Sequence, residues 1–197
     1  MQLDAAELRR RLARAAAPAA AVYGDDGSGG EQAGATPAAV LVPIIAHPEG
    51  FTVLFTRRTT QLKAHSGQVS FPGGRSEPGD PSPQHTALRE AQEEIGLPAS
   101  RVEVLGQLPE YNTRTGFRVT PVVGLIQPPL EVVPDAREVD EVFEVPLAFL
   151  LEPANYRRES RQIGARMASY YVIEHHGRTI WGATAGMLVN LYRQLAA

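Results

Sequence analysis

The sequence predicts one domain of mixed α and β structure, α/β (α+β), on three observations. With 197 residues and 43% apolar content, the chain can bury one sizeable core. Apolar, β-branched runs of strand length recur between turn signals. Interleaved with them are segments whose apolar residues step by three and four, the signature of helices with one buried face.

In chain order, Leu3, Leu8 and Leu12, with Arg9, Arg10, Arg11 and Arg14 between and after them, describe a short amphipathic helix opening at Asp4. Its apolar face is thin, which favours packing on the domain over a membrane contact. Residues 24–37 turn to Gly, Ser, Asp and Ala and are expected to form a mobile loop. The organisation read from this is a helix and flexible segment over 1–37 and a main domain over 38–197. Residues 39–46 and 51–56, separated by the turn sequence His47-Pro48-Glu49-Gly50, should pair as an antiparallel hairpin. Arg57, Arg58 and Lys63 follow, with Gln61, His65 and Gln68 nearby, so cations and donors gather after the hairpin.

The next helix is bounded by local chemistry. Ser82 suits an N-cap and Pro83 the first helical position, where a missing N–H costs nothing. Gly96 supplies a left-handed stop and Pro98 prevents resumption. Ala87, Leu88, Ala91 and Ile95 make the apolar face. On another face Glu90, Glu93 and Glu94 stand at i, i+3 and i+4, where like charges destabilise a bare helix by a few tenths of a kcal/mol per pair. A divalent cation turns that repulsion into coordination, and hard carboxylate oxygens suit Mg2+ or Mn2+. Arg89 reaches Glu93 at i+4 with a planar fork. Gly73 and Gly74, ahead of the helix, allow a tight turn and a close backbone approach.

Beyond it, residues 102–109 and 118–126 read as strands around a connection, 111–117, rich in Asn, Thr and Gly and suited to a pocket rim. Residues 130–133 and 142–145 are shorter strand candidates, with Glu138 and Glu141 in an acidic loop between them. Pro146 opens a short helix through Leu151. Residues 156–163 and 167–174 are further strands. His175, His176, Gly177 and Arg178 form a turn before a strand over 179–181, since adjacent histidines in a hairpin point apart and make no metal pair. Met187, Leu188, Leu191 and Leu195 mark a packing helix over 183–195.

Composition excludes several classes. There is no cysteine, so neither disulfides nor thiol chemistry are available. A net charge of -3 argues against a nucleic-acid polymer as partner. No apolar run approaches the roughly 18 residues that span a bilayer, and no secretion signal opens the chain, so no membrane partner and a cytoplasmic protein are expected. Oligomeric state is left open, a homodimer included.

Gly74, five residues, Asp80, eight residues, then Arg-Glu-Ala-Gln-Glu-Glu-Ile-Gly-Leu resembles the Nudix box, G, five residues, E, seven residues, REUXEEXGU, with U apolar. Asp80 stands in place of Glu, one residue further from the arginine, so the resemblance assigns it no role. Upstream, Leu54 to Gly74 is similar to the signature preceding the box in coenzyme A pyrophosphatases: Leu54, Thr56, Arg58, Gly67 and Phe71-Pro72-Gly73-Gly74 agree in place. Phe55, Thr59 and Lys63 depart from it, the last keeping a positive charge where the signature has arginine. The resemblance continues over 106–124, 138–147 and 180–187.

This resemblance implies the Nudix α/β/α sandwich with a mixed central β-sheet and metal-dependent hydrolysis of the diphosphate of coenzyme A or a derivative. It implies Glu90 and Glu94 as metal ligands, Glu93 as a ligand or proton acceptor, and Arg89 as the residue that orients them. Glu138 stands where the family has a further catalytic carboxylate. Arg58, Lys63, Gly67, Gly73 and Gly74 are the implied substrate contacts. Two other readings stay open: the same chemistry on NADH, ADP-ribose or a dinucleoside polyphosphate, and a nucleotide-binding regulator without catalysis.

Overall fold

The computed structural model describes residues 3–13, 34–60, 67–163 and 166–196. Its centre is β1 (Thr36–His47), whose near-continuous apolar sequence suits a strand buried on both faces. On one side it runs parallel to β7 (Phe117–Ile126), with Ala38 opposite Val119 and Ile45 opposite Ile126. Its other edge is shared. The later half, Ile44 to His47, pairs antiparallel with β2 (Gly50–Arg58), forming the expected hairpin. The earlier half, Ala38 to Val40, pairs with β4 (Gly73–Arg75). Strand β2 thus leaves β1 and β4 takes its place, and this fork positions the site described below.

The mixed sheet is completed by β3 (Val69–Ser70) and β8 (Val139–Pro146) on β2, and by β5 (Val102–Gln107) and β6 (Tyr111–Asn112) on β7. Alternation along β1 separates two cores. Ala39, Leu41 and Ile45 pack with Ala87, Ala91 and Ile95 of α2 (Pro83–Ile95), while Ala38, Val42 and Ile44 belong to the core on the opposite face. Each fully buried Leu or Ile contributes about 1.5–3 kcal/mol. The opposite face is covered by α1 (Ala5–Leu12), α3 (Leu147–Leu150), α4 (Gly182–Ala196) and a second sheet, β9 (Tyr156–Ile163), β10 (Arg166–His175) and β11 (Arg178–Trp181), ordered β11-β10-β9. Helices on both faces of a mixed sheet give the α/β/α sandwich expected above.

Helix α1 has Asp4 as its N-cap, accepting from the Glu7 N–H at 2.7 Å, and buries Leu8 and Leu12 against α4 and β5. Gln194 donates to the Arg11 carbonyl at 2.9 Å, tying the first helix to the last. Of the loop expected over 24–37, residues 24–33 lie outside the described residues, and Thr36 and Pro37 already belong to β1.

Three local expectations are corrected. Gly73 and Gly74 lie in a strand, because β1 offers them a partner where β2 has departed. Residues 130–133 form no strand: Leu130 and Val132 pack near α2, and the Val133 N–H goes to the Ile95 carbonyl at the helix end, 2.9 Å away. Glu141 is in β8, not a loop, opposite Arg57 and bonded to Arg178. Of the turn expected over 175–178, His176, at φ 47, and Gly177, at φ 75, form the bend, while His175 ends β10 opposite Arg178; the two histidine rings do not point apart but lie with centroids 4.3 Å from one another.

Candidate metal and diphosphate site

Helix α2 begins and ends where its caps dictate. Ser82 accepts from the His85 N–H at 3.2 Å, and Gly96, at φ 67, closes the C-terminus by donating to the Gln92 carbonyl at 3.1 Å. Burial of Ala87, Ala91 and Ile95 fixes the helix rotation and points the glutamate face at the fork between β2 and β4.

Glu94 lies deepest, 4% exposed. One carboxylate oxygen accepts from the Gly73 N–H at 3.3 Å, and the other lies 3.4 Å from an Arg58 nitrogen at the end of β2. Burial pushes its carboxyl up to about 7, against the lowering by Arg58 and Gly73, and the neighbouring Glu138 and Glu90 push it the same way. Glu90 is also raised, first by burial, with Glu93 and Glu138 adding to it against Arg89. Its carboxylate sits against Gly74, where an added Cβ would fall 2.5 Å from the Glu90 carboxyl carbon. A side chain at position 74 would force that carboxyl to shift.

Glu93 is exposed and lies 3.1 Å from Arg89, as its i+4 spacing predicts. Arg89 binds more than Glu93. Its Nη1 is 2.9 Å from Glu90, its Nη2 donates to the Arg75 carbonyl at 3.1 Å, and its fork grips Asp80 with contacts of 3.1 and 3.0 Å. The Asp80 side chain is 3% exposed and also accepts from the Thr86 hydroxyl at 2.9 Å and the Glu77 N–H at 3.0 Å. These donors, Arg89 first, hold its carboxyl well below the usual range, and Asp80 in turn raises the Arg89 guanidinium. Sequence reasoning missed this role. The signal available was an aspartate beside a capping serine, within reach of the arginine of the box.

Glu138 lies at the solvent side, 48% exposed, 3.9 Å from Arg58. The turn that carries it is pinned to the end of α2: the Asp135 N–H donates to the Glu94 carbonyl and the Glu138 N–H to the Asp135 carbonyl, both at 2.9 Å. Gly67, at φ 69, donates its N–H to the Arg58 carbonyl at 3.1 Å. Lys63, also expected to contact substrate, lies outside the described residues, as do Gln61 and His65.

Among the described residues no three acidic or histidine side chains stand as a ready-made metal cage. Arg58 and Arg89 instead engage the oxygens of Glu94, Glu90 and Glu93. The donor set nonetheless fits a hard divalent cation: all oxygen, two carboxyls raised by burial and by neighbouring carboxylates, and a glycine beside one of them. Beside it, Arg58, Gly73 and Gly74 form one end of a cavity of about 550 Å³ that extends toward β7, β11 and the start of α4.

The site is thus a carboxylate-bearing helix packed against a mixed sheet beside an arginine-lined cavity. The Nudix domain family matches residues 35–166, and the chain belongs to the Nudix hydrolase family. It is 44% identical over 160 residues to the Nudix hydrolase NudL of Photorhabdus laumondii, covering 80% of this chain and 84% of that one. To NudL of Yersinia enterocolitica it is 42% identical over 158 residues, covering 80% of each. In fold it is similar to the Nudix hydrolase RenU of M. smegmatis, with a TM-score of 0.55 and 22% identity over 82% of this chain and 86% of that one. Nudix hydrolases act on nucleoside diphosphate derivatives and generally depend on a divalent metal. Among the described residues no helix is long and apolar enough to cross a membrane.

Proposed function

We propose that the enzyme hydrolyses the diphosphate bond of coenzyme A or its derivatives, giving adenosine 3',5'-bisphosphate and 4'-phosphopantetheine. The observation that carries this reading is the joining of two sequence features in one place. Arg58 and Gly73, from the signature similar to that of coenzyme A pyrophosphatases, both contact Glu94 of the Nudix box.

Glu90 and Glu94 would hold Mg2+ or Mn2+ directly, with Glu93 at the exposed side as a further ligand or as the acceptor of a water proton. When bound, such ions supply charge neutralisation for the diphosphate and activate water for attack. Arg89, clamped by Asp80, keeps Glu90 and Glu93 at fixed positions, which matters because a misplacement of about 1 Å can cost a hundredfold in rate. Arg58 lies between Glu94 and Glu138, so it can turn toward a substrate phosphate once a cation takes over the carboxylates. Glu138, half-exposed and 3.9 Å from Arg58, would accept a proton from the attacking water.

The test is incubation of the protein with coenzyme A and, separately, NADH, with Mg2+ or Mn2+, beside Glu94→Gln, and identification of products by mass. Bisphosphate and phosphopantetheine, absent with the variant, support the proposal. Turnover of NADH alone keeps the catalytic site and removes coenzyme A as the substrate.

A further inference from the structure

The wall of the cavity beside the carboxylates carries three arginines, Arg58, Arg75 and Arg114, and no carboxylate among the described residues, in a chain whose net charge is -3. The three differ. Arg58 lies against Glu94 and Glu138. Neither the Arg75 nor the Arg114 guanidinium has a hydrogen-bond, ion-pair or ring partner among the described residues. An arginine left without an acidic neighbour on a cavity wall is available to an anion that enters from solution.

The backbone brings these two together from opposite sides of β1. Arg75 in β4 is opposite Ala38, and Ala38 is opposite Val119 in β7. Two strand spacings, roughly 10 Å, therefore separate the Cα atoms of Arg75 and Val119. Arg114 is in the tight turn between β6 and β7, closed by the Thr113 N–H to the Phe117 carbonyl at 2.8 Å. That turn is fixed to β1 by the Thr36 N–H, which donates to the Gly116 carbonyl at 2.8 Å. Two long cationic side chains thus flank the cavity, Arg75 next in the chain to Gly74 and Arg114 in the turn leading into β7 on the far side of β1. Between them the lining is largely apolar, with Val40, Phe117 and Met187 on the floor and Trp181 at the rim. A flat ring fits such a stretch.

We propose that Arg75 and Arg114 form a phosphomonoester subsite. It receives a phosphate that a nucleotide substrate carries on its sugar, in addition to the diphosphate that is cut, with the base against the apolar floor. The inference rests on the coenzyme A reading for the identity of the natural substrate, since coenzyme A carries such a phosphate on its ribose. The two fail separately in the following experiment.

Binding of adenosine 3',5'-bisphosphate and of adenosine 5'-monophosphate is measured by calorimetry, which needs no turnover, on the wild type, Arg114→Ala, Arg114→Lys and Arg75→Ala/Arg114→Ala. Charge-assisted contacts from two guanidinium groups predict a preference for the bisphosphate of about tenfold or more. That preference should fall toward one in the double variant and be partly kept by Arg114→Lys. Equal binding of the two nucleotides by the wild type, binding of neither, or a preference unchanged in the double variant overturns the subsite. In parallel, kcat/KM is compared for coenzyme A and 3'-dephospho-coenzyme A. Turnover of neither, with the calorimetric preference intact, sinks the coenzyme A reading and leaves the subsite standing. Turnover of both at equal kcat/KM, unaltered in ratio by the double variant, does the reverse.

Discussion

Arg89 and Asp80 are joined through both guanidinium edge nitrogens, at 3.1 and 3.0 Å, and this pair carries the arginine that holds Glu90 and Glu93. Asp80→Asn removes one charge and the symmetric fork while leaving Arg89 in place. Loss of a partner behind metal-binding groups typically costs about 10–100-fold in metal affinity or activity. Steady-state kinetics should show that loss in kcat/KM, and a variant with unaltered kinetics would deny Asp80 its positioning role.

Gly74→Ala should fold but lose most of its activity. Its Cβ would stand 2.5 Å from the Glu90 carboxyl, which must move, and a displacement of about 1 Å predicts a rate loss on the order of a hundredfold. Gly79→Ala, where an added Cβ meets nothing within 4 Å, serves as the control and should retain activity. Circular dichroism of both variants separates displacement of the carboxylate from unfolding.

The metal-free protein should lose stability as pH rises through neutrality. Burial lifts the Glu94 carboxyl from 4.5 to about 7, so between those values the unfolded chain holds fewer protons than the native one and unfolding becomes easier with pH. At about 1.4 kcal/mol per unit the loss approaches roughly 3 kcal/mol above pH 7. Glu94→Gln should abolish this part of the pH dependence, and urea denaturation of both proteins between about pH 5 and pH 8 checks it. Added Mn2+ should stabilise the wild type more on the alkaline side, because a cation binds the ionised carboxylate.

Leu8→Ala should destabilise the whole domain by about 2–5 kcal/mol, because Leu8 is fully buried between α1 and the core. Arg9→Ala, which removes a 2.7 Å ion pair to Glu103 between two half-exposed side chains, should change the denaturation midpoint little. If Leu8→Ala were neutral, α1 would not be part of the folded core.

What was legible in the sequence was local. The bounds of α2 follow from Ser82, Pro83 and Gly96, and the β1–β2 hairpin from two apolar runs about a turn. The contact between Arg89 and Glu93 follows from helical spacing alone. What was not legible depends on partners distant in sequence. Gly73 and Gly74 have no strand propensity and become a strand because β1 has an open edge there. Residues 130–133 read as a strand, yet the Val133 N–H donates to the Ile95 carbonyl at the end of α2. Arg75, Arg114 and Trp181 come from three separate segments, and only the packing of β4, β7 and β11 about β1 and α4 brings them onto one cavity wall.

The central claim is that Glu90, Glu93 and Glu94 form a divalent-cation site, and Mn2+ titration followed by electron paramagnetic resonance tests it most directly. The signal of free Mn2+ should be suppressed by the wild type, and Glu94→Gln should need a manganese concentration at least about tenfold higher for the same occupancy. Equal manganese binding by the wild type and Glu94→Gln, or binding by neither, would contradict the account.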